Sequence, residues 1–255
     1  MAEPESPSTI LAPRIIIADD NDISLMILAD GLKGLGFSTV ACKNAKDAVI
    51  ASLRQPPETL LLDDGMPGLD SAKAIKLVRV MEPIRAVPVI LLAESPDKNT
   101  VVRAIQMGAN DCVSKDSSLH DISLRIQRLI KMPPKPISPL FDNLRYFFHA
   151  DQNSLTLDVD SEITTESGKN LVELVRSLTS LMPLKVYLNM ENVPAIAACG
   201  IGYLSDVKDT IQTCGGTVAI SKIDLNKVLP NVRRFLEKYY QFEAPANPGG
   251  SPARA

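Results

Sequence analysis

The chain has 255 residues, 45% of them hydrophobic and 22% charged, and a formal net charge of −3. That length fits two compact domains of ordinary size, and the composition is that of a globular protein rather than a disordered or fibrous one. There is no basic field to gather nucleic acid, no apolar run that could span a bilayer, and no basic start with an apolar block in Met1–Pro13. A cytoplasmic location is expected, with no nucleic-acid or membrane partner.

From the amino terminus, Met1–Ala12 lacks periodicity and reads as a disordered leader, as does Glu243–Ala255 at the other end. Arg14–Ala18 is a short β-branched run ending in Asp19-Asp20. Ile23–Leu35 has helical spacing and stops at Gly36. Phe37–Lys43 alternates as a strand, Ala45–Leu53 is helical, and Thr59–Leu62 is a second apolar run ending in Asp63-Asp64. Ser71–Met81 (helix), Pro88–Leu92 (strand), Thr100–Met107 (helix), Asp111–Ser114 (strand) and Leu119–Lys131 (helix) follow. Short apolar strands alternating with helices describe a parallel sheet covered on both faces. Prolines in Met132–Pro139 break the pattern and mark an extended connector.

Beyond the break, Leu144–His149 and Leu155–Val159 read as strands around the turn Asp151-Gln152-Asn153. Glu166–Leu181 is a helix with Leu171, Leu174, Val175, Leu178 and Leu181 on one face, capped by Thr164 or Thr165. Lys185–Met190 is a strand, Ala197–Thr213 a helix, Thr217–Ile220 a strand and Asn226–Tyr240 a last helix, which makes a second, smaller α/β unit. Cys42, Cys112, Cys199 and Cys214 are scattered without metal-binding spacing, so reduced, mostly buried thiols are expected.

The carboxylates at strand ends carry the chemistry. Asp19 and Asp20 leave the first strand, Asp63 the third, and Lys115 the fifth. Carboxyl ends of parallel strands converge on one rim, where ligands bind in such sheets. Carboxylates held together repel unless a cation intervenes, and oxygen ligands suit Mg²⁺. A carboxylate there can attack a phosphoryl donor while a metal and an ammonium neutralise the transferring oxygens.

The block "IIIADD … LLLDDGMPGLD … VPVILLAES … GANDCVSK" resembles the receiver domains of two-component response regulators. The likeness implies a flavodoxin-like, five-stranded doubly wound domain over residues 13–131 and a role in a signalling pathway. It makes Asp63 the phosphoacceptor and Asp64 a bystander. Asp19, Asp20, Asp63 and the Gly65 backbone carbonyl become the Mg²⁺ ligands, and Lys115 the contact to the phosphoryl oxygens. The implied donor is a sensor histidine kinase or a phosphotransfer protein. Two switch positions depart from the family: Ala93 stands where a Thr or Ser is usual, and Cys112 where an aromatic is usual. Asp116 also replaces the usual Pro after Lys115. With no hydroxyl and no ring, signalling is expected to run through Lys115 and the fourth helix.

Residues 144–242, after a linker at 132–143, resemble the STAS domain of anti-sigma-factor antagonists through element order and "KVYLNMENVPAIAACGIGYLSDVKDTIQTCGGTVAIS". Aligned on Gly200, Ala197, Ala198 and Cys199 stand where the family has Asp-Ser-Ser, so the usual phosphoserine position is Ala198. Ala197, Ala198, Cys199, Gly200, Ile201 and Leu204 form the candidate surface for an anti-sigma factor, serine-kinase-like protein or other regulator. Pairing of two copies is a further option. Ser205 lies too far into the helix to replace the missing serine. The reading is a non-enzymatic regulator whose only chemistry is its own phosphorylation and dephosphorylation. The competing reading is a phosphorylation-independent scaffold. "GLKGLG" at Gly31–Gly36 reads as helix termination, His120 and His149 as solitary, and Arg233-Arg234 with Tyr239-Tyr240 as a weak candidate for a nucleic-acid patch.

Overall fold

The computed structural model describes residues 12–133, 140–151 and 153–245. The leader, the tail from residue 246 and most of the proline-rich connector lie outside the described residues. Ten strands and eight α-helices are arranged on two five-stranded sheets among those residues.

The first sheet is all parallel, in the order β2-β1-β3-β4-β5. Its strands are β1 (Arg14–Ala18), β2 (Ser38–Cys42), β3 (Thr59–Asp63), β4 (Val89–Ala93) and β5 (Asp111–Ser114). The helices between them are α1 (Asp22–Gly34), α2 (Ala45–Arg54), α3 (Ser71–Val80), α4 (Lys98–Met107) and α5 (Leu119–Lys131). Every residue of β3 and β4 is buried, because helices cover both faces and leave no place for polar alternation. Side chains of successive strand residues point to opposite faces. Ile15 and Ile17 of β1 therefore pack with Leu25, Leu28 and Leu32 of α1 and Ile122, Ile126 and Leu129 of α5. Ile16 and Ala18 pack on the other side with α2 and α3.

Each of these helices starts at a side chain that accepts from its first-turn amides: Asn21, Asn44, Asp70, Asp97 and Ser118. α4 ends on Gly108 at φ +104°, a left-handed conformation that glycine adopts without strain. α1 ends at Gly34, and Gly36 at φ +92° turns the chain into β2, so the closely spaced glycines do terminate a helix.

The second sheet has the order β10-β9-β8-β7-β6. β6 (Tyr146–Ala150) and β7 (Ser154–Val159) form an antiparallel hairpin. β8 (Lys185–Met190), β9 (Thr217–Ile223) and β10 (Gln241–Phe242) continue in parallel. The helices are α6 (Thr165–Leu178), α7 (Gly200–Thr213) and α8 (Pro230–Tyr239). Thr164 caps α6 in a reciprocal box with Ser167. α6 and α7 approach closely at Gly168, where an added Cβ would stand 2.3 Å from Tyr203 Cδ2.

Several boundaries differ from the sequence reading. α6 stops at Leu178, and Thr179–Leu181 tightens into a 3-10 turn. α7 begins at Gly200, since Ala197 N–H donates to the Ile163 carbonyl and ties the preceding residues to a neighbouring loop. The last helix starts at Pro230, whose ring cannot extend a helix from the preceding residues. β10 is too short to show in periodicity. Glu243, assigned to the disordered tail, instead donates its N–H to the Ile220 carbonyl and pairs with Lys185 at 2.6 Å. Of the four thiols, only Cys42 and Cys112 are buried; Cys199 and Cys214 are exposed, because each flanks an end of α7 at the surface.

The two halves share an interface. The α2–α3 side of the first sheet joins the core of the second sheet in one continuous apolar cluster that includes Tyr146, Phe148, Leu155 and Leu171. β6 lies against α2, and α3 against α6. The Arg54 guanidinium donates twice to the Asp151 carbonyl, and the Tyr146 hydroxyl donates to the Val80 carbonyl at 2.7 Å.

Candidate functional site

The parallel register brings Asp19, Asp20, Asp63 and Lys115 to one rim. Asp19 follows β1, Asp63 closes β3, and Lys115 follows β5, its N–H held by the Ala93 carbonyl at 2.8 Å. Carboxylate oxygens of Asp19, Asp20 and Asp63 all lie within 4.8 Å of one another. Lys115 Nζ stands 2.7 Å from Asp63 Oδ1 and 3.5 Å from Asp19 Oδ2. Asp19 and Asp63 are buried, while Asp20 is exposed at the mouth.

Asp19 is held by residues that the sequence reading did not single out. Its Oδ1 accepts from Asn21 N–H and its Oδ2 from the Ser24 hydroxyl, each at 2.8 Å. Asn21 also caps α1, so one short segment both starts the helix and orients the carboxylate. Only the spacing from Asp19 to a small hydroxyl on the first turn of α1 could have pointed to Ser24.

Burial works against the Lys115 ammonium. The hydrogen bond to Asp63 and the charges of Asp19 and Asp63 outweigh it and raise the lysine above its ordinary value. One ammonium cannot balance three carboxylates at this spacing. The oxygen-only donor set, with one member open to solvent, fits a hard divalent cation. An added Cβ on Gly65 would lie 3.7 Å from Asp63 Oδ2, so Gly65 borders the same pocket.

Asp64 points elsewhere: its Oδ1 accepts from the Ser71 hydroxyl at 2.6 Å, which ties the residue after Asp63 to the first turn of α3. Ala93 is buried beside the pocket and offers only a methyl group. The nearby Ser114 hydroxyl donates to the Glu94 carbonyl and accepts from Asp116 N–H. Cys112 is also buried, and burial first, then the Asp64 and Asp111 charges, pushes its thiol upward.

The segment that carries these residues matches a known family. Residues 15–127 fit the profile described as the response regulator receiver domain. This segment is a receiver domain. The receiver is 33% identical over 119 residues to the regulatory protein AtoC of Escherichia coli, an alignment covering 47% of this chain and 25% of AtoC. It is 26% identical over 122 residues to the transcriptional regulatory protein PrrA of Mycobacterium tuberculosis, covering 48% of this chain and 52% of PrrA. This chain thus spans about half or less of these curated relatives. Among solved structures, the receiver domain of sensor histidine kinase PA1611 from Pseudomonas aeruginosa, which carries a magnesium ion in its active-site cleft, is 26% identical. That match covers 48% of this chain and 99% of the other, with a TM-score of 0.45. No helix among the described residues is long and apolar enough to cross a membrane.

The candidate partner surface of the second half is divided. Ala198 and Cys199 are exposed, and Ala197 and Ile201 half-buried. Gly200 and Leu204 are buried: a Cβ on Gly200 would meet Ile196 at 2.8 Å, and Leu204 belongs to the core. Those two support the surface from beneath rather than form it. His149, read as solitary, pairs through Nε2 with Asp158 Oδ2 at 2.9 Å, and Asn189 donates to the other Asp158 oxygen. Of the weak nucleic-acid candidate, Arg233 pairs with Glu237 and Tyr240 is buried with its hydroxyl on the Leu204 carbonyl.

Proposed function

We propose that this chain is a response regulator in which phosphorylation of Asp63 governs protein binding by the C-terminal half. The observation that carries the reading is the buried Asp63 carboxylate, 2.7 Å from Lys115 Nζ and clustered with Asp19 and Asp20. An Asp63 oxygen attacks the phosphorus of a phosphohistidine on a sensor kinase or phosphotransfer protein. The P–N bond breaks, the histidine leaves, and an acyl phosphate forms on Asp63. Lys115 stays with the phosphoryl oxygens and offsets their charge. Asp19, Asp20, Asp63 and the Gly65 carbonyl would hold Mg²⁺, which supplies charge neutralisation at those oxygens.

The C-terminal half, from about residue 144 to 242, is read as a STAS-like binding domain. Its hairpin followed by alternating helices and parallel strands supports that reading, as does the exposed Ala198-Cys199 turn ahead of α7. Ala198 has no hydroxyl to modify, so control of an anti-sigma-type or other regulatory partner passes to the receiver. The missing hydroxyl at Ala93 favours one second reading: a scaffold that binds its partners equally in both states, as a monomer or as paired copies.

Acetyl phosphate with Mg²⁺ tests both. Intact-mass measurement is expected to show one added phosphoryl group, lost with hydroxylamine and absent from Asp63→Asn or after chelation of the metal. Failure to acquire the group would sink the receiver chemistry. Equal capture of partner by both forms would leave the scaffold.

A further inference from the structure

We infer that the α2–α3 face of the receiver is the surface through which Asp63 controls the C-terminal half, with α3 as the connecting rod; this rests on the function proposed above. At its amino end, α3 is fastened to the acceptor loop. Asp64, next to Asp63 in the chain, accepts from Ser71, the first residue of the helix, and Asp70 caps the same turn. Met66 and Leu69 of that loop are buried in the cluster that continues into the second sheet. Pro67 and Gly68 share the lining of a cleft of about 550 Å³ with Ser180 of the C-terminal half, so this loop borders its neighbour.

At its carboxyl end, α3 is fastened again. The Val80 carbonyl accepts from Tyr146 on β6, and burial followed by the Glu82 charge pushes that phenol up to about 12. Arg79, one residue earlier, donates to the carbonyls of Gly108, Arg85 and Val87 and to Asn110 Oδ1. Those bonds lock the end of α3 to the α4–β5 and α3–β4 loops. Both ends of α3 are thus tied, the first to the acceptor loop and the second to neighbouring loops and to Tyr146. A displacement of the acceptor loop therefore has a continuous bonded route along the helix. It is passed to β6, the edge strand whose flank α2 covers.

The alternative path, outward across α4, ends at solvent: Val102 and Ile105 on α4 are 46% and 48% exposed. The residues that would drive it, at Ala93 and Cys112, carry neither a hydroxyl nor a ring.

Amide hydrogen exchange of the full chain, with Mg²⁺ and with or without beryllofluoride as the phosphoryl mimic, tests this. The ¹⁹F resonance of bound beryllofluoride reports occupancy of Asp63. With the site occupied, exchange is expected to change in the 64–71 loop, in β6 and at the start of α6, and not in Asp63→Asn. Tyr146→Phe should keep the ¹⁹F signal and lose most of the change in β6. Occupancy with every exchange change confined to residues 13–131 would overturn the inference while leaving the receiver chemistry standing. Absence of the ¹⁹F signal would overturn both. Should the Tyr146 variant fail to fold, the wild-type comparison decides alone.

Discussion

Asp63 has three charged neighbours that act in opposite senses: Lys115 draws the carboxylate into an ion pair, and Asp19 and Asp20 repel it. Lys115→Ala removes the one cation among them. The three carboxylates should then bind Mg²⁺ at least as well, yet transfer from acetyl phosphate should slow by about 10²-fold, the scale of losing one charge-stabilising donor. Metal titration by fluorescence or calorimetry, set beside the rate of mass gain, separates the two effects. Asp70 gives a pH-dependent counterpart. The hydrogen bond that it accepts from the Lys73 N–H holds its carboxyl below the ordinary carboxylate value. A depressed folded value means that its contribution is present above the unfolded value and is lost as the pH falls through the folded one. Asp70→Ala should cost about 1 kcal/mol near neutral pH, and the difference from wild type should shrink in acid as the Asp70 carboxylate is protonated. Denaturant melts at several pH values measure it. Ser24 shows what one residue conceals in a sequence: a serine on a helix has many uses, and only its 2.8 Å bond to Asp19 reveals this one.

At the scale of single elements, α3 is held at its carboxyl end by Arg79, largely buried and pushed down to about 10 by that burial. Its bonds go to carbonyls and one amide, so replacing it with Met leaves several buried acceptors unpaired. The expected loss is about 3 kcal/mol or more in urea unfolding. The α6–α7 pair depends on the missing side chain of Gly168; Ala there must push into the Tyr203 ring and should cost about 1–3 kcal/mol in the same measurement. The strands of the first sheet were legible as apolar runs because both faces are buried, a condition that leaves composition as the signature. β10 was not, since a two-residue strand is defined by its pairing with Ala219 and Ile220 and by nothing local. The cysteines divide by element in the same manner. Burial raises Cys42 to about 11, so iodoacetamide should modify Cys199 and Cys214 in the native protein, and Cys42 and Cys112 only after unfolding. Peptide mapping by mass spectrometry reads the pattern.

Over the whole molecule, the receiver and the C-terminal half meet across a continuous apolar cluster reinforced by Arg54 and Tyr146. Two domains joined only by a proline-rich connector would unfold independently. These two should instead unfold in one transition, with coincident urea curves from probes placed in each half. Tyr146→Phe, which keeps the ring and removes the bond to Val80, should cost about 1 kcal/mol. Two separated transitions in the wild-type chain would show that the interface contributes little.

The sequence by itself determined the strand and helix order of the first half and of the second as far as α8, the four charged positions Asp19, Asp20, Asp63 and Lys115 at strand ends, and the absence of a hydroxyl at Ala93 and at Ala198. These follow from periodicity and residue type, which are local properties. The tertiary structure decided which side chains meet: Ser24 with Asp19, His149 with Asp158, Ser71 with Asp64, and Tyr146 with Val80. It also buried Leu204 and Gly200 beneath a surface they had been assigned to, and set α2 and α3 against β6 and α6. Such contacts depend on how separate elements pack, and the hydrophobic effect that drives packing is non-directional. An apolar face encoded in a helix states that it will be covered; only the folded chain states by what.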